Sequence, residues 1–155
     1  MKEVVILMGM QGSGKPTFFK QRFVDTHLRI NLDMLMTRRR EQRLVEACLA
    51  AGQSFVVDNT NPTRYDRSRY IGPAKAAGFQ VVGYYFDSDF EACRRRNEQR
   101  PADQVVPIGG LHATHARLEP PCRDEGFDKL FAVRVGAGGG FVIRPLRRSR
   151  KRPKD

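Results

Sequence analysis

The amino-acid sequence predicts an α/β fold, a mostly parallel five-stranded sheet with helices on both faces. Two observations carry that prediction. Five apolar, β-rich runs, at 3–8, 28–31, 54–58, 80–86 and 129–135, alternate with segments of helical length and composition, the pattern of parallel strands joined by helical crossovers. The runs Val4–Met8 and Phe55–Val57 are unbroken by polar residues, as strands buried on both faces are.

The elements follow in order. The first strand runs into a glycine-rich turn, and a helix is predicted over Lys15–Thr26. A second helix is predicted over Asp33–Ala51, where Leu35, Leu44, Val45, Cys48 and Leu49 recur on one face at three- and four-residue spacing. Gly52 and Gly78 stand where helix C-termini belong. A third helix, Pro62–Ala77, has Pro at its first position and Asn61 as its cap. A fourth covers Asp89–Gln99. Tyr84-Tyr85-Phe86 reads as strand core. A weaker sixth β-run, Gly140–Arg144, follows a glycine-rich stretch at 136–140, which reads as a hairpin-like connection because no helix comes after it.

Composition narrows the function classes. The 155 residues suit one domain, expected over 1–143, large enough to bury about two-thirds of its unfolded surface. No apolar run reaches the ~18–20 residues of a spanning helix, and the N-terminal run lacks a small-residue cleavage site, so neither a membrane partner nor a secretory signal is expected. Three cysteines, Cys48, Cys93 and Cys122, fit neither a disulfide framework nor paired metal spacing. A reduced, cytoplasmic protein follows; nothing in the sequence sets an oligomeric state. The net charge of +11 is uneven: residues 144–155 carry seven Lys/Arg and one Asp, while residues 1–143 carry the other 21 basic and 16 acidic side chains. That basic tail is expected to be disordered, and it could assist binding of a polyanion.

The chemistry concentrates at the strand ends, where ligands bind in such sheets. Gly9-Met10-Gln11-Gly12-Ser13-Gly14-Lys15-Pro16-Thr17 links a strand to a helix, the context of a phosphate-binding loop. Its backbone N–H groups can turn inward around phosphates, and the helix N-terminus adds partial positive charge. Gly9, Gln11, Gly12, Ser13, Gly14, Lys15 and Thr17 are the candidate nucleotide contacts, with Lys15 reaching the phosphates as a point charge. Pro16 stands where Ser or Thr would supply a metal-binding hydroxyl. It also lacks an N–H and biases Lys15 away from helical dihedrals. Thr17 and Asp58 remain as candidate Mg²⁺ donors, Thr17 a poor one because one helical step rotates it by ~100°. The loss is worth ~2–4 kcal/mol, or about 10²–10³ in rate, so weakened Mg²⁺–nucleotide binding and low activity are expected.

Asp33, after the second strand, could accept the proton of an attacking hydroxyl or could cap the next helix. Thr60 and Asn61, after the third strand, could touch an acceptor or could form a polar turn with a cap. Arg96 and Arg100 share a helix face and could clamp phosphates; Arg94 and Arg95 read as a solvated face. His112 and His115 lack a fourth ligand for zinc and read as surface residues.

Taken together, GMQGSGKPT, RINLD, VVDNTNPTRYDR and RRRNEQR with Val106-Pro107 make the chain resemble P-loop kinases of the polynucleotide-kinase type, a group related to zeta-toxin-like kinases, over about residues 1–120. The resemblance implies a P-loop NTPase three-layer sandwich with a helical lid at about 94–118. It implies transfer of the γ-phosphate of ATP, with Mg²⁺, to a hydroxyl, often the 5′-OH of a nucleic-acid end. By it Lys15 is the phosphate lysine, Asp33 the general base, and Arg96 and Arg100 the lid arginines. The family's acceptor-phosphate arginine falls on Met36, with Arg38 close by as the substrate-binding candidate. A nucleotide- or RNA-end-binding module without turnover, and a small-metabolite kinase, are the alternatives.

Overall fold

The structure, a computed structural model, describes residues 1–146; residues 147–155, most of the expected tail, lie outside the described residues. The five expected strands are β1 (Glu3–Met8), β2 (Leu28–Ile30), β3 (Phe55–Asp58), β4 (Gln80–Phe86) and β5 (Lys129–Val135). They pair in parallel in the order β2-β3-β1-β4-β5. The weak sixth run also forms a strand, β6 (Phe141–Pro145), antiparallel to β5. Its turn closes where the Gly136 N–H donates to the Gly140 carbonyl at 2.6 Å. The sheet therefore has six strands instead of five, and Arg144 and Pro145, placed in the tail by composition, pair opposite Ala132 and Phe131.

Alternation of side chains along β1 sorts the core onto two faces. Val5 and Leu7 meet Phe18 and Phe19 of α1 (Lys15–Arg22), with Val82, Tyr84 and Phe86 of β4. Phe18 stands edge-on to Tyr84, Phe86 and Phe141 at 5.1–5.2 Å between ring centroids, a favourable aromatic arrangement. Val4, Ile6 and Met8 meet Val45 and Cys48 of α3 (Arg38–Ala51) and Tyr70, Ile71 and Ala74 of α4 (Arg64–Ala76) on the other face. Both faces of β1 are thus covered, which is why its sequence shows no alternation.

Three helices differ from expectation. The first, predicted over Lys15–Thr26, ends at Arg22, with the Phe23 N–H donating to the Phe19 carbonyl at 2.8 Å. The segment predicted as one helix over Asp33–Ala51 is two, α2 (Leu32–Leu35) and α3, separated at Met36, whose φ is +73°. Thr37 then caps α3 through a bond from the Arg40 N–H at 3.2 Å. Leu35 and Leu44 both pack on the core, so the apolar spacing survives the break that it conceals. The third helix starts at Arg64 because Thr63, and not Asn61, receives the Asp66 N–H at 3.1 Å. Gly52, in the left-handed region at φ +71°, ends α3 as expected.

The remaining helices, α5 (Phe90–Glu98) and α6 (Ile108–Arg117), form a hairpin above the glycine-rich turn. Cys93 and Leu111 pack there with Met10, supported by Phe90, Val106 and Leu118. Asn97 locks the connection, donating to Val106 O at 2.8 Å and accepting from Val106 N at 3.0 Å. The chain returning from α6 is pinned by Arg67, which is fully buried. Its guanidinium donates to both oxygens of Glu125 at 2.7 and 3.0 Å, and to the carbonyls of Asn61 and Glu119 at 3.1 Å each.

Removing one member of a buried ion pair strands the other charge. Arg67→Ala is therefore expected to lower unfolding free energy by about 3–5 kcal/mol, read from urea denaturation. A loss below ~1 kcal/mol would contradict this role.

Candidate active site

The site is built on the loop between β1 and α1. Gly9 is tied across the sheet ends, its N–H donating to the Thr60 carbonyl at 3.0 Å. Gly12 has φ +78°, and a Cβ there would lie 2.4 Å from the Cys93 carbonyl oxygen of α5, so only glycine lets the hairpin approach this closely. Ser13 is buried. Gly14, at φ +100°, occupies the cap position of α1 without a side-chain bond to its free N–H groups. Those N–H groups are left for a ligand.

Lys15 closes the loop. It is buried, and its Nζ donates to the carbonyls of Gly9 and Met10 at 2.9 and 2.8 Å, with Ser13 Oγ at 3.5 Å. Burial pushes its pKa down to about 8. The charge of Asp58 is the largest opposing influence, Arg100 adds to the lowering, and Asp33 opposes it.

The candidate metal donors fare differently. Pro16 lies in the first turn of α1 and supplies neither hydroxyl nor N–H, and Thr17 is exposed. Asp58 is 2% exposed, and its Oδ2 accepts from Arg29 Nε at 2.8 Å, with Arg29 Nη2 also 2.8 Å away. A hard divalent cation takes oxygen ligands from carboxylates and hydroxyls. Here the hydroxyl is missing at Pro16, and one carboxylate oxygen, Asp58 Oδ2, is engaged by a guanidinium. These residues fit a protein-held Mg²⁺ site poorly.

On the acceptor side, Asn31 caps α2, its Oδ1 accepting from the Met34 N–H at 2.9 Å while its Nδ2 donates to Asp58 O at 2.7 Å. Capping therefore falls to Asn31, leaving Asp33 exposed in the first turn. Asn59 Oδ1 accepts from the Leu32 N–H at 2.8 Å, and its Nδ2 donates to buried Glu41 at 2.9 Å. Glu41 also accepts from the Tyr70 hydroxyl at 2.7 Å and from Arg38 at 3.0 Å. Burial and the Glu41 carboxylate push the Tyr70 phenol well above its ordinary range, so it stays a donor. This network, from Glu41 through Asn59, fixes the backbone that carries Asp33.

Arg38, expected to bind substrate, is spent largely on Glu41 and on the Tyr70 hydroxyl, 3.2 Å from its Nη1. Asn61 is neither cap nor surface contact. It is buried at φ +44°, and its amide donates to Leu7 O at 2.7 Å, joining the ends of β1 and β3. Thr60 is half-buried and contributes its carbonyl to Gly9.

From the hairpin, Arg96 donates to Gly12 O at 3.0 Å, and Arg100 is half-buried with its charge acting on Lys15. Gln11 donates to Thr114 Oγ1 of α6 at 3.2 Å, while its Oε1 is buried without a partner. His112 stacks on Phe90 at 4.5 Å, and His115 meets the same ring at 5.3 Å; both are surface residues of the hairpin.

Sequence reasoning missed Arg29, Asn31, Glu41 and Tyr70. Arg29 is an unusual charge inside a β-run, which was a usable signal. Glu41 and Tyr70 lie among charged and aromatic helix residues with nothing local to single them out.

Residues 4–121 match the AAA domain family. A bifunctional polynucleotide phosphatase/kinase of Schizosaccharomyces pombe is 28% identical over 136 residues, covering 85% of this chain and 33% of the relative. The chain spans about a third of the length of the curated relatives it matches. Chaetomium thermophilum Kti12 in complex with ADP-AlF3 is similar with a TM-score of 0.67 at 15% identity, over 88% of this chain and 92% of that one. A gluconokinase from Sinorhizobium meliloti gives 0.58 at 20% identity, over 86% and 82%. At these identities the two structures establish a shared fold.

A bound triphosphate would favour the charged Lys15 and raise its pKa, so binding is coupled to the ammonium form. Triphosphate affinity should hold below the free-state pKa of about 8 and fall by about tenfold for each pH unit above it. Calorimetric titration across that range checks this. A Lys15→Arg chain should lack the dependence, and a flat profile for the unaltered chain would contradict it.

Proposed function

The chain belongs to the AAA domain family, and on that premise we propose that it is an ATP-dependent phosphotransferase moving the γ-phosphate to a hydroxyl, with a polynucleotide 5′-OH as the candidate acceptor. The observation that carries the reading is a strand-to-helix glycine loop with Lys15 Nζ buried on the Gly9 and Met10 carbonyls and Arg96 on the Gly12 carbonyl. The S. pombe relative, a polynucleotide phosphatase/kinase by name, supports the acceptor class.

In this reading the loop N–H groups and Lys15 hold the β- and γ-phosphates. Lys15 exchanges its loop carbonyls for phosphate oxygens. Asp33, exposed and fixed through its backbone, accepts the proton of the acceptor hydroxyl. That oxygen bonds to the γ-phosphorus in line, the bond to the β,γ-bridging oxygen breaks, and ADP leaves with the electron pair. Arg96 and Arg100 offset the charge moving onto the bridge, and the α5–α6 hairpin excludes water. The basic residues from Arg144 onward would draw a polyanionic acceptor in a salt-sensitive way. No helix of the described residues is long and apolar enough to cross a membrane, and a cytoplasmic setting fits the unpaired cysteines.

A second reading, nucleotide binding without turnover, is favoured by Pro16 and by the Arg29–Asp58 pair. Transfer of label from γ-labelled ATP to a 5′-OH oligonucleotide separates the two. Slow transfer is expected, lowered by about 10²–10⁴ in Asp33→Asn. Pro16→Ser, which returns one phosphate-facing N–H, should raise it by about tenfold. ATP binding with no transfer by the chain or by Pro16→Ser supports the binding module.

A further inference from the structure

We infer that this site holds its triphosphate with protein cations in place of a divalent metal, and that Arg29, pinned on Asp58, does the work the metal would do. The inference rests on the nucleotide site proposed above and concerns how that site neutralises charge.

A carboxylate beside a phosphate loop repels the phosphates unless a cation lies between them. In P-loop enzymes that cation is a Mg²⁺ ion shared by the loop hydroxyl and the carboxylate. This chain has Pro16 at the hydroxyl position. Its carboxylate, Asp58, lies close enough to Lys15 to act on its charge, yet it is 2% exposed and already meets Arg29 through two guanidinium nitrogens, each 2.8 Å from Oδ2. A metal at Asp58 would have to share the carboxylate with that guanidinium, two cations held on one buried anion. It would gain no hydroxyl in return.

Arg29 is placed to take over. Its side chain is 31% exposed while that of Asp58 is 2% exposed, so the guanidinium is the member of the pair that a ligand arriving from solvent would meet. The planar fork of an arginine matches phosphate oxygens and stays charged at every working pH. With Asp58 neutralised, Lys15, Arg96 and Arg100 remain as net positive charge around the loop, suited to a metal-free nucleoside triphosphate. Among the described residues, no group of three or more His, Cys, Asp or Glu could hold a metal ion elsewhere.

The test is calorimetric titration of the full chain with ATP, once in excess EDTA and once in saturating Mg²⁺. The expected dissociation constants agree within about threefold. Tightening by Mg²⁺ of about tenfold or more overturns the inference while leaving the kinase reading intact. Absence of ATP binding under both conditions overturns that reading and this inference with it. The double variant Pro16→Ser/Arg29→Gln restores the hydroxyl and frees the carboxylate. It should bind ATP weakly in EDTA and gain about tenfold from Mg²⁺. A folded double variant that stays insensitive to Mg²⁺ overturns the role of Arg29. Should that variant not fold, the comparison on the unaltered chain still decides.

Discussion

The ammonium of Lys15 is buried against its own loop, donating to the carbonyls of Gly9 and Met10, and the rest of the site is arranged around that contact. A buried charge is costly unless hydrogen-bonded and paired. The carbonyls satisfy its donors, and the Asp58 carboxylate opposes the loss of its proton. The loop is thereby held in its curled form before any ligand arrives, so little ordering remains for binding to oppose. Met10, whose carbonyl accepts from Lys15, also anchors the α5–α6 hairpin through Cys93 and Leu111. One residue thus links loop shape to hairpin position.

The sheet supplies the second level of order. Its central strands end together, and their ends are stitched by main-chain and amide bonds: Gly9 to Thr60, Asn61 to Leu7, Asn31 to Asp58. Asn59 carries the stitching to α2 and back to Glu41 and Tyr70. Asp33 is held through its backbone, which leaves its carboxylate exposed. Buried polar networks of this kind stabilise only when each member is satisfied, and Glu41 meets three donors from three different residues.

Much of this was legible in the sequence for physical reasons. Unbroken apolar runs identify doubly covered strands, and the strand–glycine–helix order locates the loop. What escaped depended on long-range contact. Met36 breaks a helix whose apolar spacing continues across the break, because Leu35 and Leu44 pack on the same core from two helices. Asn61 looks like a cap beside Pro62, but the sheet ends claim its amide. Arg67 and Glu125 are 58 residues apart, and no local pattern joins them. Arg29 was readable as a charge in a strand, yet its partner is fixed only by the β2–β3 register, which sets Ile30 beside Val57.

In the proposed function the Lys15 loop is a triphosphate cradle held shut by its own carbonyls. A crystal structure of the chain with a non-hydrolysable ATP analogue tests it most directly. The β- and γ-phosphate oxygens are expected within hydrogen-bonding distance of Lys15 Nζ, in place of the Gly9 and Met10 carbonyls. A triphosphate bound elsewhere, with Nζ still on those carbonyls, would contradict it.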